Sequence, residues 1–306
     1  MIILNNDEVT AKQLRANFFT VFIILCFATI IFRASDFLIS EDFFAQEQLI
    51  NEYIISDIPE NPEELTDGPE IFEYTQKIET PPTPTHGLSR FFDKLYQVER
   101  GFDIVLRIAY HGDSMIEDNH TVNAVRRNFE RRFGQDFIVI DNYAVRGSSG
   151  LSLLKQDFAD APDYDLIILQ YGANVLSSGR STYKWYGDRM IKVIEHLRRS
   201  FSQADILVVS SADKAAKYGN EIATDTLVYS LIRSQEDYAN ATNSGFINIF
   251  DLMGGAGTMA DWVRRTPPLG ARDFIHLSPA GSRKIGNALY EQLENEYEDY
   301  KANRSD

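Results

Sequence analysis

Five short apolar runs, separated by amphipathic stretches, most constrain what this chain can fold into. They are Ile104-Val-Leu-Arg-Ile-Ala109, Phe137-Ile-Val-Ile140, Leu166-Ile-Ile-Leu169, Ile206-Leu-Val-Val209 and Phe246-Ile-Asn-Ile-Phe250. Apolar residues recur at helical spacing near 88–96, 119–133, 150–158, 183–202 and 225–242. Ser278-Pro279 is an N-cap and first-turn pair for a closing helix that carries Ile285, Leu289 and Leu293. Strands that are apolar on both faces need cover on both. The alternation therefore predicts a three-layer α/β/α sandwich around a central parallel sheet of about five strands. There is no internal repeat and no inserted second domain.

Ahead of this body the composition changes. The chain of 306 residues carries a net charge of −15, yet residues 41–83 alone hold twelve acids against the single base Lys77. Only −4 is left for residues 84–306. Six of the ten prolines fall in 41–86, so this tract reads as an extended, solvated linker. Before it, Phe18–Phe32 is an apolar run interrupted by no charge, with Lys12 and Arg15 on its N-terminal side. The run lacks a small-x-small cleavage site, and Leu25 before Cys26 is too large for a lipoprotein signal. The expected organisation is a cytoplasmic N-terminus over 1–16 and a transmembrane anchor over 17–35, with a cleaved signal peptide as the alternative reading of that segment. An acidic Pro-rich stalk over 36–86 and a catalytic domain over 87–306 complete it. Basic residues before the anchor place the body outside the cytoplasm, with the membrane as a partner. An acidic chain repels nucleic acid, so none is expected as a partner.

The chemistry concentrates where strands stop. Tyr110-His-Gly-Asp-Ser-Met115 follows the first apolar run and precedes a helical stretch. A serine on such a turn is held out of the backbone, near the positive end of the coming helix. Far downstream, Asp273-Phe-Ile-His276 offers a base with a carboxylate three residues before it. Ser114, His276 and Asp273 are the parts of an acyl-transfer triad.

Four segments in order, Gly112-Asp113-Ser114, Asn142-Tyr-Ala-Val-Arg-Gly147, Tyr171-Gly-Ala-Asn174 and Asp273-Phe-Ile-His276, resemble the SGNH (GDSL-type) hydrolases. These are esterases and acyltransferases, and the resemblance covers about 88–295. Leu88–Leu95 and the stretch from Asp261-Trp262 to Pro267-Pro268-Leu269 fit the bacterial members that deacetylate polysaccharides. The resemblance implies that Ser114 is the nucleophile, His276 the base and Asp273 its orienting acid. It also implies an oxyanion hole built from the Ser114 and Gly147 backbone N–H groups and the Asn174 side-chain amide. Two positions depart from the family pattern: Val175 stands where an aspartate is usual, and Ala144 where a glycine is usual. Neither supplies a catalytic atom in the family. Asp113 reads as a turn-stabilising acceptor rather than as a catalytic acid.

Other candidates are weaker in chemistry. His111 flanks the nucleophile and either contacts substrate or serves local structure. Trp262, in a loop expected to approach the site, either stacks on a sugar ring or packs in the core. Arg126, Arg127, Arg131 and Arg132 read as the exposed face of a helix, and Gly254-Gly-Ala-Gly257 as a turn. No cluster has metal-ligand spacing, so neither a metal nor another cofactor is expected. The resemblance implies an esterase acting on O-acetyl groups of a carbohydrate polymer, peptidoglycan or an exported polysaccharide, and the apolar run with its basic flank puts it at the bacterial inner membrane facing the periplasm. An O-acetyltransferase using the same triad and a catalytically inactive carbohydrate-binding module are the alternatives.

Overall fold

The computed structural model describes residues 86–176 and 183–304. The expected anchor over 17–35 and nearly all of the stalk over 36–86 lie outside the described residues. Among the described residues no helix is long and apolar enough to cross a membrane.

All five apolar runs become strands: β1 (Leu106–Gly112), β2 (Ile138–Asn142), β3 (Leu166–Gln170), β4 (Asp205–Val209) and, after a small hairpin, β7 (Gly245–Ile247). They form one parallel sheet in the order β2-β1-β3-β4-β7. The register pairs Ile108 with Ile140 on one side and with Leu166 on the other. The expected three-layer α/β fold is therefore present, with five parallel strands.

Alternation along each strand sorts the side chains onto two faces. Ile108, Tyr110, Ile168, Leu207 and Val209 join one core cluster with α1 (Ser89–Glu99), α2 (His120–Phe133) and the long α8 (Pro279–Asn303). Ile167, Leu169, Ile206 and Val208, equally buried, point to the other face. The helices α4 (Lys184–Ser200) and α5 (Leu227–Ala241) pack against each other on that side, with Tyr186, Met190, Val193 and Leu231 buried. Asp205, 2% exposed, ties α1 to the sheet: Oδ2 accepts the Phe91 N–H at 2.9 Å, and Arg90 Nε donates to Oδ1 at 3.0 Å.

Close approach of α8 to α2 sets where the last loop lies. A Cβ at Gly286 would stand 2.4 Å from the Thr121 carbonyl oxygen, so only glycine permits the contact. Thr121 Oγ1 donates to the Ser282 carbonyl at 3.2 Å. The start of α8, and the loop before it, are thereby fixed beside the segment that follows β1.

Three expectations change. The last strand ends at Ile247, because Asn248 accepts the Phe250 N–H through its side chain and starts the short helix α6 (Ile249–Met253). The helix expected over 150–158 is one short 3₁₀ segment, Leu151–Lys155. The hairpin β5 (Ala215–Tyr218) and β6 (Glu221–Thr224) lies where no element is expected, and the helix α7 (Thr258–Arg264) takes the place of the loop expected around Trp262.

Candidate active site

The strand order reverses direction between β1 and β3, and their C-terminal ends open the crevice where open α/β sheets bind ligands. The candidate side chains gather at this edge: Ser114 follows β1, Gly147 follows β2, and Asn174 follows β3 in the short helix α3 (Ala173–Leu176).

Asp113 builds the turn that carries Ser114. It is fully buried; Oδ1 accepts the Met115 N–H at 3.0 Å, and Oδ2 accepts those of Gly172 and Ala173 at 3.1 Å each. Burial pushes its carboxyl up, and the three backbone donors oppose that rise. One carboxylate thus clamps the turn that carries Ser114 to the end of β3, as the sequence reading of Asp113 anticipated. One expectation shifts: α2 begins only at His120, after further turns, so the turn rather than a helix terminus holds Ser114.

Ser114 and His276 are 162 positions apart, yet Oγ lies 2.8 Å from Nε2. On the far side of the ring, Nδ1 lies 2.7 Å from Asp273 Oδ2. A carboxylate only accepts, so Nδ1 carries the hydrogen and Nε2 is left to accept from Ser114. Burial alone would raise the Asp273 carboxyl. Backbone N–H groups of Ile275 and His276, and the imidazole, outweigh it and hold the group below its ordinary value.

The loop bearing this pair is cinched by its backbone. Ala271 N donates to the His276 carbonyl at 2.8 Å, and Phe274 N to the Ala271 carbonyl at 3.1 Å. Ala215, the first residue of β5, donates to the Phe274 carbonyl at 3.0 Å. Phe274 adopts φ of 60°, a region that non-glycine residues rarely enter. Nothing in the sequence pointed to Phe274 or to the hairpin as supports of the site.

Gly147 has φ of 82°, which its missing side chain allows. Its turn is bonded to β1 through Val145 N, which donates to the Gly112 carbonyl at 2.9 Å. Asn174 Nδ2 donates to the Ser148 carbonyl at 3.1 Å, joining the same turn to the end of β3. Ser114, Gly147 and Asn174 are thus held in one hydrogen-bonded assembly at the sheet edge.

A small cavity of about 20 Å³ sits here, lined among others by Asp113, Met115, Gly172, Ala173, Asp213 and Ile275. That is room for one water- or methyl-sized group. Asp213 is fully buried, and its Oδ2 accepts the Met259 N–H at 2.7 Å. Burial pushes this carboxyl up as well.

Two sequence candidates for substrate contact lie elsewhere. Trp262 is 2% exposed and packs in the core from α7, so it has no face to offer a sugar. His111 is 4% exposed and stacks on Tyr143, ring centroids 5.1 Å apart, and burial pushes its imidazole down to about 4. Its part is local structure. Among the described residues no group of three His, Cys, Asp or Glu side chains could hold a metal ion.

The chain belongs to the GDSL-like Lipase/Acylhydrolase family, which it matches over residues 110–284. That membership supports an esterase. Among solved structures, the chain resembles a peptidoglycan O-acetylesterase at 14% identity, with a TM-score of 0.62, covering 69% of this chain and 96% of that one. It also resembles a Parabacteroides merdae protein described as a GDSL-like lipase, at 13% identity and a TM-score of 0.50, over 63% and 98% of the two chains. An acetyl xylan esterase aligns at 16% identity and a TM-score of 0.47, over 61% and 100%. At these identities the first two likenesses establish the fold. No curated protein matches the chain.

Proposed function

We propose that this protein is a serine esterase that removes O-acetyl groups from a carbohydrate polymer of the bacterial envelope. The observation that carries the reading is the unbroken relay Ser114–His276–Asp273, with contacts of 2.8 and 2.7 Å. Ser114 Oγ attacks the ester carbonyl as His276 Nε2 takes its proton. The oxyanion that forms is met by the Ser114 and Gly147 backbone N–H groups and by the Asn174 amide. Collapse expels the sugar hydroxyl, which receives the proton back from His276 and leaves an acyl-Ser114 ester. Water, deprotonated by the same imidazole, then releases acetate and restores the serine. Asp273 holds the ring in the tautomer that both half-reactions need.

The carbohydrate part is supported by the fold shared with a peptidoglycan O-acetylesterase. Location rests on the sequence: an anchor over 17–35 and an acidic stalk would hold the domain outside the cytoplasm, within reach of a wall polymer. Full-length protein should then stay with membranes after a high-salt wash, and its body should be digested by protease in intact spheroplasts.

The test of the activity is acetate release from O-acetylated peptidoglycan and O-acetylated xylan by the full-length protein in detergent, with and without an acceptor glycan. Release that disappears in Ser114→Ala supports the reading. Hydrolysis of aryl acetates with no release from any polymer would refute the polymer assignment. Transfer to the acceptor exceeding hydrolysis would make the protein a transferase.

A further inference from the structure

Five cations fall within the twenty-one residues from Arg264 to Lys284: Arg264, Arg265, Arg272, Arg283 and Lys284. The only acid among these residues is Asp273, which is committed to His276. The stretch therefore has a net charge of +4 inside a domain that is otherwise acidic. All five side chains are exposed, and none forms an ion pair or hydrogen bond among the described residues. Elsewhere in the domain many cations are matched: Arg90 to Asp205, Lys94 to Asp165, Arg132 to Glu99, Arg146 to Glu117 and Lys214 to Asp225.

Folding brings the segments that carry these cations to either side of the loop that bears Asp273 and His276. Ser278 N donates to the Leu269 carbonyl at 2.9 Å, and Ser278 Oγ to the Pro268 carbonyl at 2.7 Å. These bonds lay the stretch after Arg264 and Arg265 against the start of α8, which carries Arg283 and Lys284 on its second turn. Arg272 precedes Asp273 directly. Unpaired surface charges of one sign lower folded stability slightly by mutual repulsion and concentrate counter-ions at the surface that bears them. Here that surface borders the loop that holds Asp273 and His276.

Building on the esterase reading, we infer that the acetylated polymer is an anion. It would be a glycan bearing carboxylates, whose negative groups lie along Arg264, Arg265, Arg272, Arg283 and Lys284 while one acetyl ester reaches Ser114. Guanidinium groups suit carboxylates because their paired N–H donors match both oxygens.

The test compares O-acetylated polygalacturonate with O-acetylated xylan, each normalised to phenyl acetate, using full-length protein in detergent. In low salt the wild type should favour the acidic polymer by about tenfold or more in kcat/KM. Added salt at about 0.15 M should erode that preference, as screening shortens the reach of charge to about 8 Å. In the double variants R264Q/R265Q and R283Q/K284Q the normalised preference should fall through a raised KM, with the xylan ratio within twofold. Equal handling of the two polymers by the wild type, or a preference indifferent to salt and to both variants, would overturn the inference. Failure to hydrolyse phenyl acetate at all would instead overturn the esterase reading beneath it.

Discussion

Asp273 holds His276 at two points: Oδ1 accepts the histidine's own backbone N–H at 3.0 Å, and Oδ2 lies 2.7 Å from its Nδ1. The carboxylate thus fixes both the main chain and the ring of the base. This double hold makes the two residues unequal in a predictable way. His276→Ala removes the proton acceptor and should lower kcat about as far as Ser114→Ala, by several orders of magnitude. Asp273→Ala should cost less, because an imidazole oriented by solvent still works in part. A larger loss in Asp273→Ala than in His276→Ala would refute the assignment of roles.

Phe274 lets Asp273 reach both atoms. Its φ of 60° turns the chain so that Ile275 N and His276 N point back at Oδ1. Phe274→Gly accepts that conformation and should keep most of the activity on an aryl acetate. Phe274→Val, whose branched Cβ resists a positive φ, should lower kcat by about tenfold or more while changing KM little. If Val serves as well as Gly, the backbone geometry at this position is not what aligns the base.

The buried imidazole of His111 makes stability depend on pH. In the folded chain its value is pushed down to about 4 from the ordinary 6.5, so the unfolded chain binds the proton more readily. Stability should therefore be full above about pH 6.5, fall as pH drops below it, and level off near pH 4, a loss on the order of 3 kcal/mol. His111→Phe keeps a ring against Tyr143 and removes the titration. Its melting temperature should decline less between pH 7 and pH 4.5 than that of the wild type. Parallel declines in the two proteins would show that His111 does not carry this dependence.

Much of the fold was legible because its strands are buried on both faces, which leaves continuous apolar runs such as Leu166–Leu169. The contact between Asp273 and His276 was legible for a different reason: the two sit three residues apart, a spacing that one turn of loop can close. What escaped has physical causes too. Ala215–Tyr218 and Glu221–Thr224 contain no apolar run, although Gly219-Asn220 between them is a two-residue hairpin turn that could have been read. Trp262, for which the sequence left core packing and sugar stacking both open, shares one helical face with buried Thr258 and Met259. Phe274 left no trace, since residue type says nothing of a conformation imposed by the surrounding hydrogen bonds.

The central claim is that Ser114 carries the acyl group. It is tested most directly by stopping the reaction of full-length protein with an aryl acetate in acid and locating the added acetyl mass by peptide mapping. A fluorophosphonate label read the same way gives a stable counterpart. The account predicts the modification on Ser114, absent in Ser114→Ala, with turnover lost by at least about a thousandfold in that variant. Modification of another serine, or a Ser114→Ala enzyme within about tenfold of wild type, would contradict it.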